Sequence, residues 1–132
     1  MTAKHDLAAS RNIAWAPTID YFYDGDAPLP LEGASIKMEV RLYPGAPDGA
    51  IVTINDIPFA DLDVFDGSAQ RRLRLFPGLG QDILAAFPTG LNQPEPGEAD
   101  AFAYDIVITY ADLQQDKLAL GRFLLEPGVT LP

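Results

Sequence analysis

Between residues 29 and 43 the chain alternates apolar and polar side chains over a longer stretch than anywhere else. Ala34, Ile36, Met38, Val40 and Leu42 fall on one parity, and Ser35, Lys37, Glu39 and Arg41 on the other. Successive side chains of an extended backbone point to opposite faces. This stretch is therefore predicted to be a strand with one face in a core and one in water.

A second alternation runs over 103–110, with Tyr104, Ile106, Ile108 and Tyr110 on one face and Asp105 and Thr109 on the other beside Val107. Residues 111–116 read as a polar turn and 117–126 as the returning strand, which predicts a hairpin. Twelve prolines and eleven glycines cut the rest into short pieces, which suits strands joined by turns and excludes long helices. Further strands are expected over 12–23, broken at Pro17, then over 50–54, 57–64 around Pro58, and 69–76. Turns are expected at Asp24-Gly25-Asp26, 44–49 and 65–68, and an acidic surface loop over 91–100. Only 79–87 reads as helical, with Ile83 and Phe87 four apart, and so short a helix needs a sheet to dock on. The pattern predicts an all-β fold, an immunoglobulin-like antiparallel β-sandwich with one short helix over 79–87. One domain is expected over 10–132, preceded by a flexible polar arm over 1–9.

Charge and composition narrow the function. Nine Lys and Arg against nineteen Asp and Glu give a net charge of −10, which argues against a nucleic-acid partner because phosphate binding needs clustered cations. No apolar run approaches the ~20 residues of a membrane-spanning helix, and residues 1–6 carry no apolar signal core, so neither a membrane partner nor export by a signal peptide is expected. Cysteine is absent, which removes disulfides and thiolate metal sites.

The residues that could carry chemistry are few. His5 is the only histidine and lies in the polar arm, so it reads as an incidental surface residue rather than a metal ligand or general base. Asp24 and Asp26 could begin a calcium loop, but the repeated oxygens and closing Glu are missing, and a plain turn is the simpler reading. Asp61, Asp63 and Asp66 could place two carboxylates on one strand face, the arrangement that acid–base chemistry uses when burial separates two pKa values. In so acidic a chain, chance pairing accounts for them. Gly78-Leu79-Gly80 lacks the strand–loop–helix setting of a phosphate-binding loop. Arg71, Arg72 and Arg74 form the one basic cluster, read either as a solvated strand face or as a patch that meets the acidic surface of a partner. Trp15, Tyr21, Phe22 and Tyr23 read as core aromatics. Alternatively these four rings could form a carbohydrate-stacking surface, with Tyr21, Phe22 and Tyr23 beside Asp24 and Asp26 making a glycan- or small-ligand-binding site. No catalytic, cofactor-binding or metal residue is assigned, and no enzyme activity is expected.

The run from Gly25 to Arg41, with Leu31-Glu32-Gly33 leading into the alternating strand, resembles the amino half of a small β-sandwich domain found in structural proteins of tailed bacteriophages and prophages. The carboxyl half resembles the same domain: Tyr104-Asp105-Ile106 is similar to its Tyr-Asp-Leu strand and Gly121-Arg122-Phe123 to its return strand. Pro127-Gly128-Val129-Thr130 is similar to its closing Pro-X-Val-Thr. The helical turn over 81–87 falls where that family places one, and the resemblance spans Ile13 to Thr130. It implies a non-catalytic virion protein of the tail, baseplate or neck, a fibre adaptor or a decoration subunit, made in the host cytoplasm. Its implied partners are other virion proteins and further copies of itself, as a homo-oligomer in the particle. The arm over 1–9 and the tail over 126–132 would then reach neighbouring subunits.

Overall fold

A computed structural model describes residues 2–24, 29–63, 70–89, 93 and 95–130, with the backbone alone at 63 and 70. Among the described residues nine strands and one helix follow in chain order: β1 (Ala3–Lys4), β2 (Leu7–Ser10), β3 (Ile19–Asp24), β4 (Ser35–Arg41), β5 (Val52–Ile54), β6 (Phe59–Asp63), β7 (Gln70–Leu75), α1 (Gln81–Ala85), β8 (Asp100–Thr109) and β9 (Gln115–Glu126). They form two sheets. The large one runs β1-β9-β8-β4-β5, with β2 also on β9, and the small one runs β3-β7-β6. One apolar core cluster draws residues from both sheets, so the fold is an all-β sandwich.

The opening alternation does what its period requires. Ile36, Met38 and Val40 are 0% exposed, and Lys37, Glu39 and Arg41 face outward. Each such side chain contributes roughly 1.5–3 kcal/mol by leaving water. β4 lies between β5 and β8, in antiparallel register Met38↔Ile54 and Met38↔Ile106. β8 buries Phe102, Tyr104, Ile106 and Ile108 on the same side, and the predicted β8–β9 hairpin is present with a bulge at Ile106/Val107. Gly33 sits at φ +77° just before β4, where a Cβ would also press on the Ala111 Cβ in the β8–β9 turn. The Leu31-Glu32-Gly33 step is thus fixed by backbone conformation and packing.

Several expectations are corrected. The stretch over 1–9 does not stand apart from the domain: within residues 2–9, β1 and β2 pair in parallel with β9, in register Ala3↔Ala119 and Leu7↔Phe123. Leu7 and Ala9 enter the core. Gly121 permits this, since a Cβ there would collide with the His5 carbonyl, which accepts the Tyr104 hydroxyl at 2.6 Å. The large sheet is therefore mixed, not purely antiparallel.

The strand expected over 12–23 begins only at Ile19. Before Pro17 the chain makes a single bridge, in which Trp15 and Leu79 exchange backbone hydrogen bonds of 2.9 Å. Trp15 is buried edge-on to Phe123, and Ile13 is exposed. Because Leu79 is held in that bridge and Gly80 is the N-cap, the helix spans 81–85 rather than 79–87. Asp100, expected in a surface loop, begins β8 and is 1% exposed. Residues 25–28 and 64–69, which hold Asp26, Asp66 and the turn over 65–68, lie outside the described residues, as do 90–92 and 94.

Candidate binding faces

The three arginines of the basic cluster divide by strand parity. On β7, Arg71 shares the inward parity of Leu73 and Leu75, and Arg72 and Arg74 point outward. Arg71 is not solvated. Its Nε donates to the Tyr23 hydroxyl at 3.2 Å and its Nη2 to Asp61 Oδ2 at 3.0 Å, while Tyr23 donates to Asp61 Oδ1 at 2.6 Å. Burial, and then the Asp61 carboxylate, push the Tyr23 phenol pKa up. Both Asp61 oxygens are committed to this triangle, which holds β3, β6 and β7 together at their inner faces. Reading Arg71 as a surface patch residue is therefore corrected.

Tyr21 and Tyr23 stack with ring centroids 6.5 Å apart and are 8% and 6% exposed, so the pair offers no outward surface for a sugar ring. Arg72 and Arg74 do reach the outer face of the small sheet, where both meet Asp20. Arg74 donates to it twice, at 2.8 and 3.3 Å, and Arg72 approaches to 3.6 Å. The Arg74 hydrogen bonds hold the Asp20 carboxyl below its ordinary pKa. Phe22, the fourth aromatic expected in the core, lies on this face with Phe76, both partly exposed.

A second buried ion pair was not anticipated. Arg11 donates to Asp100 Oδ2 at 3.0 Å, to the Phe87 carbonyl at 2.7 Å and to the Pro88 carbonyl at 2.7 Å. Thr89 adds a hydroxyl donor to the same carboxylate oxygen at 3.0 Å. One guanidinium thus takes up carbonyls just past the end of α1 and pins that end to β2 and β8, a task suited to its planar fork of donors. Nothing local in the sequence marks the pair, because its members are 89 residues apart.

The outer face of the large sheet holds a concavity of about 490 Å³, lined among others by Lys37, Glu39, Arg41, Asp105 and Lys117 over a floor that includes Ala103. Arg41 donates to Glu39 at 2.7 Å, Lys37 lies 3.6 Å from Glu39, and Lys117 lies 3.2 Å from Asp105. Three cations and two carboxylates leave this hollow net positive on a chain of net charge −10. The sequence holds half its signal, the sign alternation Lys37-x-Glu39-x-Arg41. The other half needs the β4–β8–β9 register.

Among the described residues no group of His, Cys, Asp and Glu is placed to hold a metal ion, and no helix is long and apolar enough to cross a membrane. His5 is exposed and serves through its backbone, its N–H donating to the Leu120 carbonyl at 3.0 Å. Comparison with protein-family models and with curated proteins finds no match.

Proposed function

We propose that the chain is a non-catalytic structural protein of a tailed-phage virion, a tail, baseplate, neck, fibre-adaptor or decoration subunit, that works by binding other virion proteins. What supports the reading is that the residues carrying the resemblance occupy working positions of one β-sandwich. Gly33 turns the chain into β4, Tyr104 and Gly121 face one another across β8 and β9, and the Thr130 carbonyl accepts a hydrogen bond from Asn12 at 2.8 Å. The outer face of the large sheet carries charged side chains, and that of the small sheet charged side chains with Phe22, both suited to contacts with protein partners.

Mass spectrometry of purified particles tests it, together with electron microscopy of particles made without the gene. The protein is expected in the particle at a fixed copy number, and its loss should stop assembly or infection. Particles that lack the protein, or that assemble and infect normally without it, would overturn the proposal.

A further inference from the structure

The strand register arranges the charges of the large sheet's outer face into bands that cross the strands. Lys37, Val107 and Lys117 form one row, Glu39, Asp105 and Leu120 the next, and Arg41, Ala103 and Arg122 the third. The order is cation, anion, cation, with rows two residues or about 6.6 Å apart on β4 and β8, the bulge taking up one extra residue between Lys117 and Leu120 on β9. In the middle row Glu39 stands directly opposite Asp105, and like charges paired across strands destabilise a sheet. Flanking cations offset this at 2.7–3.6 Å, while Arg122, at the β9 end of the third row, pairs with Asp6 at 2.8 Å. Small residues at Ala103 and Val107 leave β8 as the floor of a trough between the long side chains of β4 and β9.

We propose that this trough binds an extended segment of another protein that carries acid, base and acid at every second residue. A strand repeats its side chains at the same two-residue interval, so its acidic residues fall on the two cation rows while its base meets Glu39 and Asp105. The alternation sets the occupant's chemistry. A nucleic acid or other uniform polyanion would put negative charge on the middle carboxylates, and no described strand of this chain carries acid, base and acid at successive outward positions with which a second copy could reply, β3 presenting Asp20, Phe22 and Asp24 with Asp20 already held by Arg74. The proposal rests on reading the chain as a protein-binding module, but its test needs no virion.

The probe is an acetylated, amidated peptide centred on Glu-Thr-Lys-Thr-Glu, titrated at low salt into the labelled full chain and compared with its reverse-sign counterpart Lys-Thr-Glu-Thr-Lys. Amide shifts should concentrate on β4, β8 and β9, and the first peptide should bind about tenfold more tightly, with affinity falling as salt rises. Lys117→Glu should abolish the preference while the amide spectrum stays that of a folded protein. Equal binding of the two peptides, binding of neither, or shifts centred on Arg72 and Arg74 would overturn the proposal. So would concentration-dependent dimerisation of the peptide-free chain that Lys117→Glu removes, which would make the occupant a second copy.

Discussion

Arg11–Asp100 and Arg41–Glu39 are both guanidinium–carboxylate pairs, at 3.0 and 2.7 Å, yet the molecule uses them in opposite ways. At Asp100 the side chain is 2% exposed, and its charge is met by Arg11 and a threonine hydroxyl. Removing either partner leaves a buried charge or a set of carbonyls without a donor. Glu39 is partly exposed beside a trough open to water, where solvent screens the pair and its formation adds little to folding. The same chemistry is structural where it is dry and, in the binding trough proposed above, left for a partner where it is wet. Burial, not distance, separates the two.

The largest effect should come from burying a carboxylate with no arginine beside it. Met38→Asp or Val40→Asp, at positions that are 0% exposed, should cost several kcal/mol and leave the domain unfolded by circular dichroism. Next, Arg11→Ala and Asp100→Ala should each lower unfolding free energy in urea by about 3–5 kcal/mol. The double variant should cost much less than the sum, because the two share one interaction. If each single change cost under ~1 kcal/mol, burial would not be what distinguishes the two pairs.

The Tyr23–Asp61–Arg71 triangle falls between the extremes. Tyr23→Phe keeps the ring but takes a hydroxyl from Asp61 and Arg71, and should cost about 1–3 kcal/mol with the fold intact.

Tyr104 sharpens the same point through pH. Burial pushes its phenol pKa from the ordinary 10.0 up to about 12, with the Asp6 charge adding to the effect. A raised acid pKa favours the protonated form in the folded state. The stability it contributes is complete below about pH 10 and is lost as pH rises toward 12. Tyr21, Tyr23 and Tyr110 shift in the same direction, chiefly through burial. Wild type should therefore exceed Tyr104→Phe by about 1 kcal/mol at neutral pH, and unfolding curves should converge as the solution becomes more alkaline.

What could be read from the sequence follows the same division. Alternation alone located β4 and β8, because each of those strands buries one parity completely and the period of two survives in the residue order. β1 and β2 were not legible. Their hold on β9 comes from backbone pairing and from the missing Cβ of Gly121, and Leu7-Ala8-Ala9 is too short to show a period. Arg71 and Arg72 are neighbours in sequence and sit on opposite faces of β7, one in a buried triangle and one outside, a difference that only parity on a correctly placed strand reveals. The trough was half visible in Lys37-x-Glu39-x-Arg41. Asp105 joins it through the pairing of β4 with β8, strands far apart in the chain, which no local pattern encodes, and Lys117 follows from the predicted β8–β9 hairpin once its bulge is placed.

The smallest expected effect carries the most information. In the double variant Lys37→Ala and Lys117→Ala, two cations leave the trough while every buried contact stays. Urea unfolding of that variant, with titration of the acid–base–acid peptide on the same sample, tests directly whether the wet pairs serve binding and the dry pair serves folding. Unfolding should stay within about 0.5 kcal/mol per site of wild type, with the peptide preference lost. A fall in stability comparable to that of Arg11→Ala, or peptide binding that survives, would contradict it.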